Sequence, residues 1–75
     1  MKTKEDMIKK YGSNPDKWDW IKISYYQKLS EEFIREFQDK VDWYLISIRQ
    51  KLSEDFIKEF KDKVFWYNIG YNQIF

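Results

Sequence analysis

The chain contains no cysteine and no histidine. Their absence excludes disulfide staples, thiolate nucleophiles, imidazole bases and the usual zinc sites together. With one proline and two glycines, turn punctuation is sparse, and the only loop of note runs from Gly12 to Pro15. Apolar runs extend over only a few residues and no basic segment leads into one, so neither a secretory leader nor a membrane span is expected. An excess of one charge is lacking as well. Fourteen basic residues face thirteen acidic ones, which leaves no net field to draw the protein to DNA or an anionic bilayer. The lack of cysteine suits a cytoplasmic protein, host-cell cytoplasm if the source is viral, and that is the expected location.

What the chain has instead is rings. Six Phe, six Tyr and four Trp fall within 75 residues, a length near the lower limit for one unstapled core. Each ring can bury roughly 150–250 Å², or about 4–6 kcal/mol gross at about 25 cal/mol per Å² before entropy is subtracted. Large side chains thus stand in for a large domain.

The rings recur at a fixed interval. Residues 27–49 and 50–72 are identical at 15 of 23 positions, including Gln, Lys, Leu and Ser at the start and Val, Trp, Tyr and Ile further on. A divergent copy lies upstream, where residues 16–27 superpose on 39–50. Met7, Ile8 and Tyr11 fall opposite Phe33, Ile34 and Phe37 once a three-residue insertion is allowed. The expected organisation is a single helical-repeat domain over 1–75: a divergent first repeat 1–26, a repeat 27–49, and a repeat 50–75 with a truncated C-terminal end.

Each unit reads as two short helices. Ser30 and Ser53 are good N-caps, each followed by two acids that suit the positive end of a helix dipole. A first helix, A, of about eight residues then places Phe33, Ile34 and Phe37, or Phe56, Ile57 and Phe60, on one side. Asp39 and Asp62 are expected to cap a second helix, B. There Val41, Tyr44 and Ile48 lie on one side and Trp43 and Ile46 nearly opposite, so helix B should be sandwiched between successive A helices. The fold class expected is all-α, a small solenoid-like stack of short helix pairs with a 23-residue repeat. The competing strand reading of residues 41–48, rich in β-branched and aromatic residues, is opposed by the flanking caps.

The pattern carried by residues 27–43 and 50–66 resembles a short tandem repeat found in many copies in phage and giant-virus proteins. The resemblance covers nearly the whole chain and departs in the first copy and after Phe65. It implies a viral or mobile-element origin and a binding role, and it transfers no catalytic residue.

Positions that change between copies are the informative ones for function. Asp19, Lys22 and Tyr26 correspond to Asp42, Leu45 and Arg49, and then to Phe65, Asn68 and Asn72, one stripe of helix B. Tyr26, Leu45 and Phe65 are larger and more apolar than a solvated face requires, and Arg and aromatic residues dominate protein interfaces. Beyond Gln73 no polar cap is apparent, so Tyr71, Ile74 and Phe75 are expected to mediate self-association or docking. The expected partner-binding set is Tyr26, Leu45, Arg49, Phe65, Asn68, Tyr71, Ile74 and Phe75.

The expected function is non-enzymatic: a protein-protein interaction module. By analogy with the viral repeats its concrete form is a small phage-type inhibitor of a host defence complex, anti-CRISPR-like. The expected partner is a host protein or a second copy, with a homo-oligomer formed through the C-terminal end, and no cofactor, metal or membrane is implied. Adjacent acids such as Glu31 and Glu32 do not face one another on a helix and need no catalytic explanation. A nucleic-acid binder using Lys22, Lys28, Arg35, Arg49, Lys51, Lys58 and Lys61 ranks second, because acids are interspersed in nearly equal number. An excerpt of a longer repeat scaffold is the third reading.

Overall fold

The computed structural model describes residues 2–72, the last two as backbone alone. The described residues form six α-helices and one 3-10 turn within 35 × 20 × 18 Å, and no β-strand. The fold class is all-α. The only sheet-like pairing among them is an isolated parallel bridge between Lys2 and Leu29. The strand reading of residues 41–48 is not realised, because Trp43–Arg49 is helical.

The helices are α1 (Lys4–Tyr11), α2 (Trp20–Tyr26), α3 (Glu31–Glu36), α4 (Trp43–Arg49), α5 (Glu54–Glu59) and α6 (Trp66–Asn72). The 3-10 turn Pro15–Lys17 joins α1 to α2, with Asn14 capping it and Pro15 at its first position, where a missing N–H costs nothing. α1, α3 and α5 are the A helices and α2, α4 and α6 the B helices. None exceeds eight residues, too short to persist alone in water. Their stability comes from capping and tertiary contact.

Ser30 and Ser53 cap α3 and α5 as expected, their hydroxyls accepting from the Phe33 and Phe56 amides at 3.0 and 3.1 Å. Thr3 caps α1 and, with Asp6, completes a reciprocal capping box. Those bonds from the Thr3 backbone and side chain hold the Asp6 carboxyl below its ordinary value. Cap-based counting revises the alignment of the first copy. The fourth residue after the cap is Met7, Ile34 or Ile57, fully buried in each case, whereas Ile8, which had been set against Ile34, is 36 % exposed. The offset is therefore 27 at this cap.

The helix-B caps differ from expectation. Asp19 and Asp42 cap α2 and α4, accepting from the Lys22 and Leu45 amides at 3.1 Å each, while Asp39 and Asp62 lie in the preceding turns. The reason is local. The Lys40 and Val41 amides both bond back to the Phe37 carbonyl, an extra turn that postpones helix B until Trp43.

The sandwich expected for helix B is also corrected. α4 packs along α2 on one side and α6 on the other, so the B helices lie side by side. Ile23, Ile46 and Ile69 are buried in that layer, but Ile21, Tyr44 and Tyr67 are 58, 49 and 76 % exposed. A helix flanked by its own kind on both sides has one face left for the A helices and one for solvent.

Candidate functional site

The units are joined by bonds that recur at the repeat interval. Gln50, buried at the end of α4, donates from Nε2 to the Ser24 and Gln27 carbonyls at 3.0 and 2.7 Å and accepts from the Leu29 amide at 3.1 Å. It thereby satisfies carbonyls that the end of α2 leaves open. The Ser24 hydroxyl accepts from the Asp42 amide, and the Ser47 hydroxyl from the Phe65 amide, both at 3.0 Å. Ser24 and Ser47 are wholly buried. Each hydroxyl therefore serves the residue that opens the next B helix. In the third unit the corresponding residue is Gly70.

Rings seal the same junctions. In every unit the first Trp of helix B donates its indole N–H to a carbonyl five residues back: Trp20 to Pro15, Trp43 to Gln38 and Trp66 to Lys61, at 2.8, 2.9 and 3.0 Å. The ring so oriented meets the Phe pair of the following A helix. Trp20 lies 6.1 and 5.2 Å from Phe33 and Phe37, and Trp43 lies 6.3 and 5.2 Å from Phe56 and Phe60. Trp66 keeps its N–H bond, has no ring packed against it among the described residues and is 54 % exposed.

Charged groups reinforce the A-helix contact. Arg35 grips Glu59 through Nε and Nη2 at 3.0 and 2.8 Å and lies over the Phe56 ring. These bonds hold the Glu59 carboxyl below and the Arg35 guanidinium above their ordinary values. The Glu31 carboxylate accepts from the Ser53 amide and hydroxyl at 2.6 and 3.0 Å. One unit earlier Lys4 pairs with Glu36 at 3.0 Å, and Lys40 pairs with Asp16.

The outer side of the B layer is a different kind of surface. Ile21, Tyr44 and Tyr67 occupy equivalent positions on three adjacent helices and are all exposed. Tyr25 lies beside this stripe with the Arg49 guanidinium 4.4 Å from its ring centre. Phe65 stands edge-on to Tyr44 at 5.4 Å.

The predicted partner-binding residues divide among these surfaces. Tyr26 is strongly exposed and packs edge-on against Tyr25 at 4.6 Å. Arg49 and Phe65 border the outer stripe and are exposed. Leu45 and Asn68 are half-buried, so they are not free surface anchors. Tyr71 contributes backbone to α6, and its side chain, like Ile74 and Phe75 entirely, lies outside the described residues. Tyr44, expected on a buried side of helix B, emerges as exposed, as do its third-unit equivalent Tyr67 and Trp66, the equivalent of Trp43. Their repetition had suggested burial, but the layer of B helices leaves their side of the helix open.

Among the described residues no group of three or more acidic side chains is placed to hold a metal ion, and no helix is long and apolar enough to cross a membrane. No family model, curated protein or solved structure matches the chain.

Proposed function

We propose that the protein is a non-enzymatic protein-interaction module, a solenoid-like stack of helix pairs whose outer B-helix stripe receives a partner protein. The observation that carries this reading is the exposed row of Ile21, Tyr44 and Tyr67, flanked by Phe65 and by Arg49 stacked on Tyr25. Tyr and Arg are the residues that anchor interfaces, and a contiguous apolar row is more than a solvated face needs. The narrower form, a small viral inhibitor of a host complex, rests on the resemblance of its repeat to viral repeats. Nucleic acid is the weaker reading, because Lys22, Arg35 and Lys58 each pair with an acid.

Affinity capture from the native host, with mass spectrometry, tests the proposal by comparing the parent with a Tyr44→Asp/Phe65→Asp variant. The expected result is a protein enriched on the parent and lost from a variant whose helical circular dichroism is unchanged. Equal capture by both chains refutes the stripe as the interface. Steep salt-dependent retention of a generic oligonucleotide refutes the protein reading.

A further inference from the structure

The outer face of α5 and α6 is a second surface, and the two internal junctions show what fits it. At each junction the Trp opening a B helix is covered by an A helix carrying Phe at the third and seventh residues after its Ser cap. At the second junction the preceding A helix, α3, adds an acid one residue after its cap and a cation five residues after it, where α1 at the first junction carries Lys4 and Ile8. In α3 these are Glu31, which accepts from the incoming Ser, and Arg35, which takes the incoming Glu at the sixth position. In the third unit every one of these elements is present again. Trp66 is held by its N–H bond with its ring exposed, Glu54 stands where Glu31 stands, and Lys58 stands where Arg35 stands. Glu54 and Lys58 are exposed and pair with each other at 3.5 Å.

We propose that this face, Trp66 with Glu54 and Lys58, is a receptor for one amphipathic helix of the form Ser-x-x-Phe-Ile-x-Glu-Phe supplied by another protein. Two further features narrow the occupant. Gly70 replaces the serine whose hydroxyl serves the amide opening the next B helix, so the face holds what a lone A helix needs and lacks what a whole unit needs. The incoming helix is not α1 of a second copy, because α1 carries Asp6 and Lys10 at the third and seventh positions after its Thr3 cap. The Phe pairs of α3 and α5 are already covered within the chain. Charge complementarity between Lys58 and the Glu of the motif sets the register.

The test uses the full chain and a synthetic peptide of residues 50–64, which contains neither Trp nor Tyr. Because Trp66 is the most exposed indole, docking is expected to shift tryptophan emission to the blue saturably, with a dissociation constant of roughly 10–500 μM for so small a contact. Trp66→Ala is expected to abolish the shift while circular dichroism stays helical. Independently, Lys58→Glu is expected to weaken binding about twofold to fivefold, and a peptide with Glu59→Lys to recover it. Absence of a saturable shift to about 1 mM, or full binding by both variants, overturns the proposal. So does a dimer in sedimentation that the peptide dissociates, which assigns the face to a second copy. The outer stripe uses different side chains, so loss of capture by Tyr44→Asp/Phe65→Asp with no peptide response, or the reverse, tells the two readings apart.

Discussion

Trp43 and Trp66 are the same residue in the same unit position, with the same indole bond to a turn carbonyl, yet one is a junction and the other a surface. Around Trp43 the next A helix lays down Phe56 and Phe60, the Ser47 hydroxyl serves the following B helix, and Glu31 and Arg35 reach the incoming cap and acid. Around Trp66 no described residue lays a ring on the same seat, the indole is half-exposed, and Gly70 takes the place of the hydroxyl. The difference teaches that the indole bond belongs to the unit, whereas burial belongs to the pair of units.

The largest expected effect comes from emptying the two seats in turn. Trp43→Ala removes a ring packed on Phe56 and Phe60 and is expected to cost about 3 kcal/mol, while Trp66→Ala costs under about 1 kcal/mol because no core ring loses a partner. Urea midpoints at pH 7 measure both, and equal losses would erase the distinction drawn between junction and surface. A smaller contrast sharpens it at the other end of the chain. Gln50→Leu leaves the Ser24 and Gln27 carbonyls and the Leu29 amide without their partner, an expected loss of about 2 kcal/mol. Gln27→Leu, whose side-chain carboxamide makes no hydrogen bond within the described residues while its backbone N–H keeps its bond to the Ile23 carbonyl, is expected to stay within about 0.5 kcal/mol.

The smallest effect is a pH dependence. Glu59, held below its ordinary value of 4.5 by Arg35, binds its proton less readily folded than unfolded. Its contribution to stability is therefore complete above that value and is lost as pH falls through the folded pKa. Asp6 acts with the same sign from below 3.8 through its bonds to Thr3. Glu59→Gln is expected to flatten part of the decline in urea midpoint between neutral and strongly acid pH. An unchanged acid limb would show that the Arg35–Glu59 grip adds nothing to the junction.

Much of this architecture was legible in the chain, because capping and periodicity are local. Ser30 and Ser53 announce α3 and α5, and the Phe–Ile–Phe spacing marks their buried side. The cap of helix B was harder to read. Two aspartates precede Trp43, and the choice of Asp42 over Asp39 depends on an added turn and on the hydroxyl of Ser24, 18 residues away. Gln50 was visible as a repeated residue, but its role lies with carbonyls 23 and 26 residues earlier. The substitution of Gly70 for serine was present in the repeat comparison, and its meaning appears only with the bond that serine makes.

By itself the sequence determined the 23-residue duplication, the helical class and the identity of the A-helix core, since each follows from spacing and side-chain chemistry within a few residues. The tertiary structure alone decided which side of helix B meets solvent, because repetition constrains a residue without saying against what. That choice came from B helices lying side by side, their buried hydroxyls and amides finding partners a full unit away.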